Sequence, residues 1–175
     1  AKPLVATAHP KPHQASAPRV LDEDLAFLMQ TALKEVVQRG TAHAAASLNR
    51  DDIAGKTGTT NDQVDAWFAG FHPDLAVTVW VGFDTPRSLH EYAANIALPL
   101  WIDFMRQALP NLPYSPFTPP ESVVTYPIDQ TTGLLAANQA NSIAEFFQKE
   151  HPPETQDQAQ PAADAVSDHA PTDLF

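Results

Sequence analysis

The chain has 175 residues, 21 acidic against 10 basic side chains, and a formal charge of −11. That balance excludes nucleic acid or an anionic membrane surface as the main partner. Cysteine is absent, which excludes disulfides, thiolate metal sites and a Cys nucleophile, and no apolar run approaches the about 20 residues of a membrane helix.

Residues 1–19 are rich in Pro, Ala and His and read as a linker, ordered at most in one strand. The opening AKPLVATAHP shows no signal peptide, and the expectation is a chain that starts in the middle of a longer polypeptide. His9 and His13 stand four apart there, but in a Pro-rich setting that gives no metal site. No metal and no cofactor is expected.

A helix comes next. Leu25, Leu28, Met29, Ala32, Leu33, Val36 and Val37 form one stripe at helical spacing. Asp22, Glu23 and Asp24 favour its N-terminus, and Arg39 followed by Gly40 marks its end. Residues 41–50 read as an Ala-rich loop. Three strands follow: DIAGKTGTT, thinned by glycine; DAWFAGF, apolar on both faces like a central strand; and LAVTVWVGF, rich in Val and Trp. The short turns NDQ and HPD predict an antiparallel meander. Trp67, Trp80 and Trp101 read as core, Asp65 as a turn or cap residue, and Arg87 as a solvated loop residue.

A second helix is expected with Pro99 in its first turn, an apolar stripe of Trp101, Phe104, Met105, Ala108 and Leu109, and Pro110 at its end. SVVTYPIDQTTGLLA predicts a hairpin around Gln130–Gly133. NSIAEFFQKE carries a capping-box pattern, Ser142 to Glu145, that predicts a short helix. The Pro-containing acidic stretch after Lys149 reads as a disordered tail. The expected organisation is a linker at 1–19, a domain portion carrying the Lys-Thr-Gly strand at 20–112, a hairpin and short helix at 113–150, and the tail at 151–175.

The chemistry concentrates at Lys56-Thr57-Gly58-Thr59. A lysine and hydroxyls on a strand edge offer charge-assisted hydrogen bonds to a carboxylate. A glycine leaves the strand bare for an added peptide strand. An edge N–H beside an attacked carbonyl can serve an oxyanion hole, and a lysine cation lowers the cost of deprotonating a serine. Lys-Thr-Gly is the third motif of serine β-lactamases and penicillin-binding proteins, after Ser-x-x-Lys and Ser-Asp-Asn.

Across residues 18–150 the chain resembles class A, bifunctional penicillin-binding proteins of the 1A type from Gram-negative bacteria. The resemblance rests on RVLDEDLAFLMQTALKEVVQRGTA, IAGKTGTTNDQVDAWFAGFHPDLAVTVWVGFDTPRSL, ALPLWIDFMRQAL, the spaced V, I-D, T-G and L-A pattern of 120–136, and the final Leu174-Phe175. It implies an α/β (α+β) penicilloyl-serine transferase fold, an antiparallel sheet flanked by helices, incomplete in this chain. It implies D,D-transpeptidation of peptidoglycan stem peptides through an acyl-serine, with β-lactams as covalent inhibitors. Lys56 would hold the charge network of the site. Thr57 and Thr59 would bind the donor's terminal carboxylate, the Thr59 N–H would be an oxyanion donor, and Gly58 would keep the strand clear. It also implies the periplasmic face of the inner membrane, with attachment only through an absent N-terminal anchor, and a glycosyltransferase domain elsewhere in the parent.

The first two motifs do not follow. No Ser has a Lys three positions on. Thr31–Lys34 lies on the amphipathic helix, and Ser47-Leu48-Asn49 stands only seven residues before Lys56. The expected partner is therefore the N-terminal remainder of the same protein, carrying the serine, and a sheet cut here leaves an edge and a helix face uncovered. The alternative is a noncatalytic peptide- or partner-binding module of the same fold. A serine β-lactamase fits less well, given TTND, DAWFAGF and the later I-D-x-x-T-G. His72 stands where the family commonly has Thr, a change expected to affect loops only.

Overall fold

The computed structural model describes residues 19–137 and 141–155; the linker expected before Arg19 and most of the expected tail lie outside them. Helix α1, Glu23–Gln38, forms where the apolar stripe predicts it, with Glu23 and Asp24 in its first turn. Arg39 N–H closes on Glu35 O at 2.8 Å. Gly40 follows because a Cβ there would sit 2.9 Å from Val36 Cα. Phe27 and Val37 are buried, whereas Leu25 and Met29 of the same stripe stay exposed. Part of the apolar stripe of α1 therefore lies at the surface of the described residues.

Residues 41–50 are not a plain loop: His43–Leu48 is a 3₁₀ helix, ended by Asn49 in the left-handed region at φ 52°. Its small alanines allow the tight turns, and Ala45 is buried. Strands β1 (Ala54–Thr59), β2 (Ala66–His72) and β3 (Leu75–Val81) then form the antiparallel meander, in the order β1-β2-β3. Because facing residues point the same way, the register Thr57↔Phe68, Phe68↔Val79 and Gly70↔Val77 sets one face of the sheet. The pairs Lys56↔Ala69, Gly58↔Trp67 and Trp67↔Trp80 set the other.

Helix α2, Ala93–Ala108, covers the first face. It starts six residues before Pro99, so the proline lies inside the helix rather than in its first turn. The one amide it removes is tolerated because Leu98, Trp101, Ile102 and Met105 bury the stripe around it. Trp101 meets Phe68 edge-on at 4.9 Å, and burying each such side chain stabilises by roughly 1.5–3 kcal/mol. Gly70 is required at that contact: a Cβ would lie 2.7 Å from both the Trp101 and Phe68 rings. Gly70→Ala is expected to cost about 1–3 kcal/mol by overpacking, read as an earlier midpoint in urea with unchanged slope; an unchanged midpoint refutes the packing account.

A separate two-stranded sheet joins β4 (Val123–Asp129) to β5 (Ser142–Gln148). This corrects the expected short helix over 142–149. Ile143, Phe146 and Phe147 carry strand propensity, and Ser142↔Asp129 through Gln148↔Val123 pair along the full length, so tertiary pairing overrides the capping-box pattern. The expected turn does form at 129–133, where Asp129 Oδ1 accepts Thr131 and Thr132 N–H at 2.9 and 3.0 Å and Gly133 takes φ 73°. It returns the chain only as a single bridge, Ile128↔Leu135; the main partner of β4 is β5.

Candidate active site

Lys56, Thr57, Gly58 and Thr59 all lie on β1, which among the described residues is an edge strand paired only with β2. The bond from Thr60 N–H to Asp65 O (3.1 Å) sets the ladder's parity. Even-numbered β1 residues turn N–H and C=O toward β2, and Thr57 and Thr59 turn theirs to the open edge. Lys56 projects from the face that α2 does not cover, is exposed, and donates from Nζ to Thr57 O at 3.0 Å. Thr57 Oγ1 shares a hydrogen bond with Thr41 Oγ1 at 2.8 Å. Thr59 Oγ1 accepts the Ala93 N–H at the start of α2, at 3.1 Å, and so keeps its own O–H free to donate. This edge strand therefore carries an ammonium on one face, two hydroxyls on the other and an outward backbone N–H between them.

Gly58 differs from the packing glycines. Among the described residues a Cβ there would find only Trp67 Cβ, at an ordinary 3.5 Å, so none of them demands glycine. Gly58→Ala is expected to leave the thermal midpoint within about 0.5 kcal/mol of the parent. It should slow acylation of the assembled enzyme by a penicillin. Normal labelling by the variant contradicts a need for a bare strand.

The other sequence candidates are engaged elsewhere. Thr31 Oγ1 donates to Leu28 O and Lys34 pairs with Asp51 at 3.5 Å. Ser47 Oγ donates to Ala44 O at 2.7 Å. Among the described residues no group of three His, Asp or Glu is placed to hold a metal ion, and no helix is long and apolar enough to cross a membrane.

Residues 3–101 match the penicillin-binding protein transpeptidase domain. The chain belongs to that family. It is 40% identical over 167 residues to penicillin-binding protein 1A of Pseudomonas aeruginosa, covering 91% of this chain and 20% of that relative. Against penicillin-binding protein 1A of Neisseria gonorrhoeae the identity is 47% over 112 residues, 63% of this chain and 14% of the relative. Among solved structures, penicillin-binding protein 1A of Haemophilus influenzae superposes with a TM-score of 0.73 at 38% identity over 79% of this chain and 22% of that one. The chain thus spans about a fifth of the length of these relatives. Its mixed helices and antiparallel sheet are those of this transpeptidase fold, in part.

Sequence reasoning missed several features around β1. Thr41 and the Ala93 amide hold the two threonine hydroxyls, contacts 16 and 34 residues apart in sequence with no local signal. Trp67 and Trp80, expected in the core, are 43% and 45% exposed and pair with ring centroids 6.1 Å apart, on the face of Lys56. Asp65 does act as the expected turn residue: its N–H donates to Thr60 Oγ1 and its Oδ1 accepts Trp80 Nε1, at 2.8 and 2.9 Å. Arg87 is more than a solvated residue, since its guanidinium stacks 3.7 Å from the Phe83 centroid.

His72 does not merely adjust a loop. It is fully buried with Asp52. Its Nδ1 accepts Asp74 N–H at 3.1 Å, and its Nε2 lies 3.0 Å from Pro113 O, 3.2 Å from Asp52 Oδ2 and 3.2 Å from Arg50 Nη2. Arg50 grips Asp52 through Nε and Nη2 at 2.7 and 2.6 Å and reaches Pro113 O at 2.8 Å. Burial alone raises the Asp52 carboxyl, but the Arg50 fork and the Ser115 N–H outweigh it and hold the pKa down to about 2. This knot ties the lead-in to β1 to the segment after α2.

Proposed function

We propose that this chain supplies the Lys-Thr-Gly strand of a peptidoglycan D,D-transpeptidase whose serine nucleophile lies in polypeptide outside these 175 residues. The observation that carries the reading is the grouping of Lys56 Nζ, the Thr57 and Thr59 hydroxyls and the outward Thr59 N–H on one edge strand, in a chain of the transpeptidase family.

The donor stem peptide lies along β1 as an added strand, possible because Gly58 carries no side chain. Its terminal carboxylate takes hydrogen bonds from the Thr57 and Thr59 hydroxyls, with the Lys56 charge close by. Serine oxygen attacks the penultimate D-Ala carbonyl. The Thr59 N–H stabilises the oxyanion, the C–N bond to the terminal D-Ala breaks, and the leaving amine takes a proton. The amine of a second stem peptide then attacks the acyl-serine, forming the cross-link and freeing the serine. A β-lactam enters the same way but leaves a lasting acyl ester. The site operates on the periplasmic face of the inner membrane, attached through an anchor in the remainder of a parent that also bears a glycosyltransferase domain.

Labelling a native preparation with a fluorescent penicillin tests this, followed by a denaturing gel and intact mass of each band. Label on a companion polypeptide or on a longer form of this chain supports the transpeptidase. No label, from a single 19.0 kDa species, removes the enzyme reading and leaves a noncatalytic binding module.

A further inference from the structure

The fold holds the two threonine hydroxyls of β1 with different kinds of partner. Thr59 Oγ1 accepts the Ala93 N–H at 3.1 Å. An amide N–H only donates, so the direction of that bond is fixed and the Thr59 proton is left to point outward. Thr57 Oγ1 meets another hydroxyl, Thr41 Oγ1, at 2.8 Å. Either oxygen can donate there, so the pair has two directions, and only donation from Thr41 to Thr57 frees the Thr57 proton. An ionised carboxylate accepts and has no proton to give. Its arrival therefore selects that direction, and the protons then run from Thr41 to Thr57 to the carboxylate, each bond polarising the next.

The end of α1 places Thr41 for this role. Ala42 N–H donates to Val36 O and His43 N–H to Gly40 O, both at 3.1 Å, and Ala42 is fully buried. The backbone on either side of Thr41 is thus anchored, while its side chain is exposed and reaches the half-buried Thr57 on β1.

We infer that Thr41 is a positioning residue for the donor peptide: by donating to Thr57 Oγ1 it aims the Thr57 proton at the terminal carboxylate and makes the site favour an ionised, acceptor-only terminus over an esterified one. The inference rests on the transpeptidase reading, in which Thr57 and Thr59 bind that carboxylate. Thr41 touches neither the substrate nor the reacting atoms, and acts through Thr57. Its hydroxyl matters to binding rather than to bond breaking, so its loss weakens the complex and spares the chemical step.

Acylation kinetics of the full-length polypeptide test this, with the parent, Thr41→Val and Thr41→Ser compared by intact mass against benzylpenicillin and its methyl ester. Valine keeps the branched shape and removes the hydroxyl. Thr41→Val is expected to need about three- to tenfold more benzylpenicillin for half-maximal acylation rate, the worth of one hydrogen bond, with the limiting rate unchanged. Thr41→Ser should restore the parent value. The ester, with no anionic terminus and so no charge-assisted bond, should show a smaller penalty in Thr41→Val. A Thr41→Val variant that responds to benzylpenicillin like the parent overturns the inference. So does an equal penalty on acid and ester, which would mark a displaced strand instead of an aimed proton, and so does failure of serine to rescue. A parent that benzylpenicillin does not acylate overturns the transpeptidase reading and this inference with it, whereas an acylated parent beside an indifferent Thr41→Val overturns this inference alone.

Discussion

Lys56→Ala is expected to abolish penicillin labelling of the assembled transpeptidase, with acylation slowed by about 10²–10⁴-fold, the range for a group that manages proton transfer. The loss should be kinetic rather than structural. Lys56 is exposed, and among the described residues its hydrogen bond runs to the adjacent Thr57 O, so the variant is expected to keep the fold's contacts and its thermal midpoint. Lys56→Arg keeps the charge but brings a planar fork in place of a compact ammonium, and should restore only a fraction of the rate. Time-resolved labelling with a fluorescent penicillin, beside a melting curve of each variant, measures both. Full-rate acylation of Lys56→Ala would remove this lysine from the mechanism.

The largest stability effect belongs to Asp52. Asp52→Ala leaves the Arg50 guanidinium, mostly buried, without its carboxylate and strips Ser115 N–H of its acceptor. Breaking such a pair from one side costs about 3–5 kcal/mol, a midpoint lower by roughly 10 °C at this chain size. The double change Arg50→Met with Asp52→Leu should recover much of the loss, because apolar replacement of both partners avoids the stranded charge. A single variant as stable as the parent would deny the knot its role. The pH dependence has a definite sign. The folded pKa of Asp52 lies near 2, below its ordinary 3.8, so its contribution is complete above pH about 4 and is lost as pH falls from about 4 to 2. The size is about 2 kcal/mol at 1.36 kcal/mol per pKa unit. Urea midpoints across that window should show this slope in the parent and lack it in Asp52→Asn.

α1, the three-strand meander and the Lys-Thr-Gly strand were legible because each is signalled locally. Leu25 to Val37 repeat at helical spacing, LAVTVWVGF is a run of strand formers, and the turns between strands are short and polar. The start of α2 and the state of 142–148 were not legible. Pro99 suits a first turn or a buried interior equally until the neighbours are known, and Trp101 beneath Gly70 decides it. Ser142 and Glu145 mimic a helix start, but β4 is present to pair, and a ladder of backbone hydrogen bonds outweighs one cap.

The same division holds at the site. Residue identity alone determined which groups can do the chemistry: an ammonium, two hydroxyls and a bare glycine in four consecutive positions. Only the tertiary structure decided which way they point. The parity of the β1–β2 ladder turns Thr59 N–H outward, Ala93 and Thr41 hold the hydroxyls, and the Arg50–Asp52–His72 knot ties the strand's lead-in to residues 59 to 63 positions on. Pairing parity and long-range contacts depend on which strands meet, and a linear pattern of residue types does not encode that.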